Sequence, residues 1–447
     1  MRDRPDPFPA AILGHGFHPA APPLMADDTL IAGAIFLVAY ALIAIERWDR
    51  TLVALIGGLL MVVLGILDQH EAFAAIDLNV IFLLVGMMVI ASILSRTGFF
   101  EWLAVRSVML SDGRPIRLLL ILATITALLS AFLDNVTTVV LMTPVTLSVA
   151  RRLDISPLPY LITQILASNI GGTATLIGDP PNILIGSAAG LGFGDFLVNL
   201  APVVLVIFVA FVVIVRVAFR HTLKVPDERR EAALEGTEAR AITDRGLLTK
   251  SLVVTGLTIV GFLLHGLLGV EAATVALLGA TVLMLVAGSN PHRVLREVEW
   301  STIFFFVGLF VLVEGIVQVG IVGGIAERLA EAADGNAAAA SLALLWFSAI
   351  ASAIVDNIPY TATAIPVVEQ LVAGGMPAEP LWWSLALGAC LGGNLTIIGA
   401  SANVVVSNLS ERAGHPIRFV EFLKYGAVVT FTSMVISTAY VWLRYLS

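Results

Sequence analysis

Apolar residues come in long unbroken runs along this chain, separated by short polar connections. Runs cover 30–45, 52–67, 79–94, 160–189 and 196–215, then 251–264, 272–287, 303–319, 381–409 and 419–443. Most lie near the length of about 20 residues that a transmembrane helix needs. They are continuous rather than alternating, which predicts α-helices and excludes a membrane β-barrel. Two further stretches, 116–149 and 337–373, are too long for one crossing. Each is broken near its middle, at Asp134-Asn135 and at Asp356-Asn357. A single helix over 116–149 would be about 50 Å long, against a hydrocarbon core of about 30 Å. These stretches are predicted to be re-entrant hairpins, with both arms on one face and the tip at mid-depth. Asp134 and Asp356 can then N-cap the second arms, and Pro359 suits a first turn, where a missing N–H does least harm.

The pattern repeats. Residues 171–182 read GGTATLIGDPPN and residues 392–403 read GGNLTIIGASAN, an offset of 221. Gly171, Gly172, Thr175, Ile177, Gly178 and Asn182 meet identical residues at Gly392, Gly393, Thr396, Ile398, Gly399 and Asn403. IFLLVG at 81–86 matches IFFFVG at 303–308, Asp134-Asn135 matches Asp356-Asn357, and Pro144 matches Pro366, all at 222. Motifs in register over this span predict an internal duplication. Each half then holds five crossings, one of them broken at its glycine motif, plus one hairpin. Five is odd, so the halves are antiparallel, the inverted-repeat plan of many secondary transporters. The expected fold is an all-α polytopic membrane protein of two inverted repeats, at 28–220 and 248–447. A charged cytoplasmic linker joins them at 221–247.

Charge placement supports the same count. Alternating along the chain puts 21 of the 25 Lys and Arg residues on the face holding the linker, and only Arg2, Arg4, Arg328 and Arg444 on the other. The linker face is therefore expected to be cytoplasmic and both termini extracytoplasmic, in the plasma or inner membrane. Residues 1–27 are polar and rich in Pro and Gly, and Met25 stands just before the first run. That segment is expected to be disordered or to precede a start at Met25.

Composition adds little beyond excluding alternatives. The chain has 447 residues, 58% hydrophobic and 13% charged, about half the charged share of a soluble domain. Its one cysteine, Cys390, leaves no intrachain disulfide and no Cys-based metal site. There is no Walker A motif, no zincin spacing after His70-Glu71, and no nucleophile–base pair within a crossing. No enzyme, cofactor or nucleic acid is indicated.

The four breaks are expected to converge at mid-membrane as an ion- or substrate-binding site. The first tip offers Asp134, Asn135, Thr137 and Thr138, and the first broken helix Thr173, Thr175, Gly178, Asp179 and Asn182. The second tip offers Asp356, Asn357 and Thr361, and the second broken helix Asn394, Thr396, Gly399, Ser401 and Asn403. Carboxylate, hydroxyl and carbonyl oxygens suit Na⁺, and the N–H groups of helix starts suit an anion. No Lys or Arg falls within a crossing, so the three aspartates are expected to lack basic partners and to favour a cation or a proton. The bland alternatives are that Asp134 and Asp356 only cap helices, that Asp179 with its prolines is a kink, that the glycine pairs only allow close packing, and that Cys390 only packs.

AFLDNVTTVVLMTPV, SNIGGTATLIGDPPN, DNIPYTATAIP and GGNLTIIGASANVV resemble the ion transporter superfamily. The likeness is greatest to the branch holding the P protein, arsenite permeases and the sodium/proton antiporter NhaD, and it extends to citrate and divalent-anion/sodium transporters. It implies a homodimer in the lipid bilayer and an elevator motion of the hairpins and broken helices. In the symporter branch the tips carry Ser-Asn-Thr. Asp134-Asn135-Val136 and Asp356-Asn357-Ile358 stand there in this chain, which adds a carboxylate to each tip. The expectation is a secondary transporter of small inorganic ions, by Na⁺/H⁺ antiport or arsenite-type efflux, with Na⁺ or H⁺ as coupling ion and Na⁺ held at the tips. ATP-driven arsenite efflux would require an ATPase partner. Carboxylate transport is the alternative, and an ion channel a further one.

Overall fold

The computed structural model describes residues 26–45, 47–220 and 242–447. The expectations for 1–25 and for most of the linker fall outside them. The described residues form helices, and no strand occurs among them. Nine helices among them are long and apolar enough to span a membrane, including Leu78–Ser95, Ala201–Phe219, Arg245–Leu268 and Trp300–Gln318. Their outer faces expose residues such as Leu37, Leu205 and Leu257, as a lipid-facing surface requires.

The duplication is visible as reciprocal packing. Helix Leu78–Ser95 packs on Ala272–Val286, and its mate Trp300–Gln318 packs on Arg50–Val63, the mate of the other partner. Two glycines allow each pair to close. A Cβ on Gly86 would lie 2.7 Å from the Ala276 backbone, and one on Gly308 would lie 2.5 Å from that of Ala54. Each of these residues is 222 positions from its counterpart.

Both long stretches break at the expected places. Pro115–Phe132 and Asn135–Leu153 meet at Leu133-Asp134, and Ala337–Ile354 and Asn357–Ala373 meet at Val355-Asp356. The first break residue is extended in both cases, with φ −122° at Leu133 and −120° at Val355. Asp134 accepts from the Thr137 N–H at 2.8 Å and Asp356 from the Ile358 N–H at 3.0 Å, so both cap their helices. The arms are 18, 19, 18 and 17 residues long. The connection 95–115, read as a polar loop in the sequence, instead contains the helix Phe99–Leu110, and Ile321–Ala332 is its counterpart.

One end of the bundle gathers the start of Arg50–Val63, the start of Trp300–Gln318 and residues 96–97 and 243. The Thr51 hydroxyl donates to the Ser301 carbonyl at 3.0 Å, and the Thr243 N–H to the Thr97 carbonyl at 2.9 Å. We term this the linker end. Here Arg96 lies 2.7 Å from Glu297, and the Ser92 hydroxyl donates to Glu297 at 2.5 Å. Burial opposes the charge of Glu297, but these donors outweigh it and hold its carboxyl below the usual range.

Candidate functional site

The broken helices run Leu158–Gly172 then Pro180–Ala189, and Ala378–Gly392 then Ser401–Arg412, with a 3₁₀ turn at Ile397–Gly399 in the second break. Each break folds back so tightly that only glycine fits. A Cβ on Gly172 would lie 2.5 Å from the Gly178 carbonyl oxygen, and one on Gly393 would lie 2.9 Å from that of Gly399. A Cβ on Gly171 would strike the Ala127 carbonyl at 2.1 Å.

Much of the motif holds this loop in place. The Asn182 amide donates to the Thr175 and Thr173 carbonyls at 2.9 and 3.2 Å, and the Asn403 amide to the Gly393 and Thr396 carbonyls at 2.7 and 2.9 Å. The Thr175 hydroxyl donates to the Ala131 carbonyl and the Thr396 hydroxyl to the Ala353 carbonyl, each at 2.5 Å. Those carbonyls belong to the last turns of the first hairpin arms, where no helical donor is left. Thr173 and Thr361 bond back to the carbonyls of Asn169 and Asn357. Thr175 and Thr396 therefore splice hairpin arm to break, while Gly178, Gly399 and the two asparagine amides close each break on itself.

The remaining residues meet at one buried point. Asp179 precedes Pro180 and Pro181, which offer no N–H groups, and its carboxylate caps nothing. It accepts from the Asn135 amide at 3.1 Å and the Asn357 amide at 3.2 Å, so one carboxylate joins the two hairpin tips. Asp179 is fully buried. Asn169, which the sequence reading did not single out, is the hub beside it. Its oxygen accepts from Asn135 at 3.1 Å, and its amide donates to Asn394 at 3.0 Å and Asn403 at 2.9 Å. The signal was a lone asparagine two residues before the glycine pair of an apolar segment. Its mate by the 221 offset is Cys390, which does more than pack: its thiol donates to the Asn182 oxygen at 3.4 Å.

Two oxygens at this centre are left over. Asn135 Oδ1 and Thr138 Oγ1 are buried and find no hydrogen-bond partner among the described residues. Eight other buried polar side-chain atoms among the described residues, Ser341 Oγ and Thr430 Oγ1 for example, find no hydrogen-bond partner either, so it is the place of these two beside Asp179 and not their number that sets them apart.

The second tip differs. The sequence reading gave the aspartates no basic partner, but Asp356 has one. Arg50, from the first turn of the helix after the first crossing, places Nη1 3.2 Å from Asp356 Oδ2 and donates to Ser401 Oγ at 2.5 Å. Ser401 donates to the same Asp356 oxygen at 2.5 Å. Arg50 sits just outside the apolar run at 52–67, and its reach follows from the long side chain rather than from its place in the run.

Residues 40–388 match the CitMHS citrate transporter family. The chain belongs to that family. It is 45% identical over 424 residues to an uncharacterized transporter of Mycobacterium tuberculosis, covering 93% of this chain and 99% of that one. It is 44% identical over 426 residues to a 46 kDa membrane protein of Mycobacterium leprae, covering 94% and 99%. It is 34% identical over 515 residues to the human P protein, covering 94% of this chain and 62% of that longer protein. In fold it matches the YdaH transporter of Alcanivorax borkumensis, with a TM-score of 0.58 at 14% identity over 93% of this chain and 98% of the other. The CitMHS chain is thus a secondary transporter and a multi-pass membrane protein.

Proposed function

We propose that this transporter couples its cycle to a small cation bound at the centre, as a Na⁺/H⁺ antiporter or an exporter of a small inorganic species such as arsenite. The observation that carries this reading is the pair of unpartnered oxygens, Asn135 Oδ1 and Thr138 Oγ1, at a tip bonded to the Asp179 carboxylate. Hard oxygen ligands suit Na⁺ or Li⁺, and the same carboxylates can carry protons. The clustering of Arg50, Arg96 and Thr243 at one end supports a cytoplasmic linker end with extracytoplasmic termini. The antiparallel repeats support an elevator-type exchange, and a homodimer is the assembly that the resemblance implies.

Carboxylate transport is the second reading, favoured by the family match over 40–388. It would place the anion at the starts of Pro180–Ala189 and Ser401–Arg412.

The test is a vesicle assay with the purified protein and an internal pH dye. Na⁺, Li⁺, arsenite, citrate and chloride are added in turn. A pH change on Na⁺ or Li⁺ alone supports antiport, and one on arsenite supports export. Silence to these, with proton movement on citrate, overturns the first reading in favour of the second.

A further inference from the structure

The two ends of the bundle carry partly equivalent recesses of unequal size. At the end opposite the linker, a cavity of about 380 Å³ is lined by His265, Gly266 and Ala272 and reaches Leu176 beside the first break. The residues 222 positions from the first three are Ile43, Ala44 and Arg50. They line the corresponding recess at the linker end together with Asp356 and Ile398, and that recess holds only about 10 Å³. The one charged-for-apolar exchange between the equivalent lining positions is Arg50, whose mate is Ala272. Its guanidinium bridges Asp356 and Ser401 and lies 5.1 Å from the centre of the Phe305 ring. Its own helix is fixed by the Thr51–Ser301 bond.

We infer that Arg50 is a tethered counter-ion that closes the linker-end recess and holds the Asp356 half-site against a soluble cation until the Arg50–Asp356 pair is broken. The two half-sites then differ in kind. The Asp134–Asp179 side keeps open oxygens for an ion, and the Asp356 side carries a built-in positive charge that an entering ion must displace. This assignment rests on the centre being an ion site, but its test does not require transport.

The test is thiol accessibility in lipid nanodiscs, where both faces are open, in a Cys390→Ala background. Ile398→Cys reports the linker-end recess, and Ser187→Cys, which lines the open cavity, reports the other end. A membrane-impermeant, positively charged methanethiosulfonate is the probe. With Arg50 present, Ile398→Cys should react slowly and Ser187→Cys fast. Arg50→Gln should raise the Ile398→Cys rate by about tenfold or more, the shift expected from losing a charge-assisted bond. It should leave Ser187→Cys unchanged, which also reports that the variant is folded. Arg50→Lys should keep most of the protection. If Arg50→Gln does not fold, the charge-swapped pair Arg50→Asp with Asp356→Arg replaces it and should restore protection. An unchanged Ile398→Cys rate in folded Arg50→Gln, or fast labelling with Arg50 present, overturns the inference. Arg50-dependent labelling with no ion flux in vesicles would instead leave the closure standing and remove the ion-transport reading.

Discussion

Replacing Thr138 and Thr175 each with valine should move stability in opposite directions, although the substitutions are chemically identical. Both side chains are buried, Thr138 in the first turn after the first tip and Thr175 in the first break. The Thr175 hydroxyl donates to the Ala131 carbonyl at 2.5 Å, an orphan acceptor in the last turn of a helix. Removing that donor forfeits an interhelical hydrogen bond worth roughly 0.6–1.7 kcal/mol in a membrane protein and strands the carbonyl. Thr138 Oγ1 has no partner among the described residues. Removing it relieves a desolvated group whose cost is on the order of 1–3 kcal/mol, so Thr138→Val should be neutral or stabilising in ion-free protein. The ion dependence should behave in the reverse sense. An ion at 100 times its Kd stabilises by about 2.7 kcal/mol, and a tenfold loss of affinity cuts that to about 1.4 kcal/mol. Thr138→Val should lose part of the stabilisation by Na⁺ or Li⁺, while Thr175→Val keeps it on a lower baseline. The assay is the apparent melting temperature in detergent, in choline chloride and then in saturating NaCl or LiCl. If Thr138→Val melts as low as Thr175→Val in choline, the hydroxyl has a structural role. If Thr138→Val keeps the full salt-induced shift, it is no ligand.

Two more perturbations separate architecture from chemistry. Asp134→Asn and Asp356→Asn should both abolish ion coupling in vesicles while the protein stays folded, but Asp356→Asn should cost more stability, by about 1–2 kcal/mol, because it leaves the Arg50 guanidinium half-paired. Equal melting temperatures would remove any special role for Arg50, and full coupling in both would reduce the aspartates to caps. Gly86→Ala and Gly308→Ala should each cost about 1–3 kcal/mol through overpacking, read as loss of the monodisperse peak on size exclusion, since the added Cβ meets backbone within 2.7 Å. Gly194→Ala, where nothing lies within 4 Å, should not.

The fold was legible because it is written twice. A lone Asp-Asn in an apolar stretch is ambiguous, but Asp134 and Asp356 at one offset, each in a stretch too long for one crossing, leave a fold-back as the economical solution. The helices Phe99–Leu110 and Ile321–Ala332 were hidden because they are short and mixed in character, so neither hydropathy nor charge marks them against a loop. Within the site, residue type showed which positions gather at the breaks but not how their hydrogen bonds are spent. Thr138 and Thr175 look equally promising as ligands in the sequence. Only the structure shows that one hydroxyl is committed to a carbonyl and the other is not. Arg50 and Asn169 were missed for related reasons. Arg50 reads as a flanking residue unless the reach of its side chain is considered, and Asn169 has no polar mate, since Cys390 stands opposite it.

On the proposed ion-coupled reading, those mismatches would give the centre a direction. A perfect duplication would place equivalent groups at both half-sites, and an exchange cycle would then have two equivalent end states. In this chain Asp179 corresponds to Ala400, Pro180 to Ser401, Asn169 to Cys390 and Arg50 to Ala272. The tips are mates, yet Asn135 and Asn357 both donate to the single carboxylate of Asp179. One acid therefore serves both tips, so on that reading an ion or proton at Asp179 would be felt by both tips at once. The second tip meanwhile pairs with Arg50, and among the described residues the first has no such ion pair. An ion that neutralises Asp179 leaves the Arg50–Asp356 pair intact, and one that competes for Asp356 must break it. The two events differ in cost although the backbone around them is nearly symmetric. That difference provides a physical basis for one end state to be preferred when the site is empty and the other when it is filled, because a ligand shifts such an equilibrium only by its differential interaction with the two states.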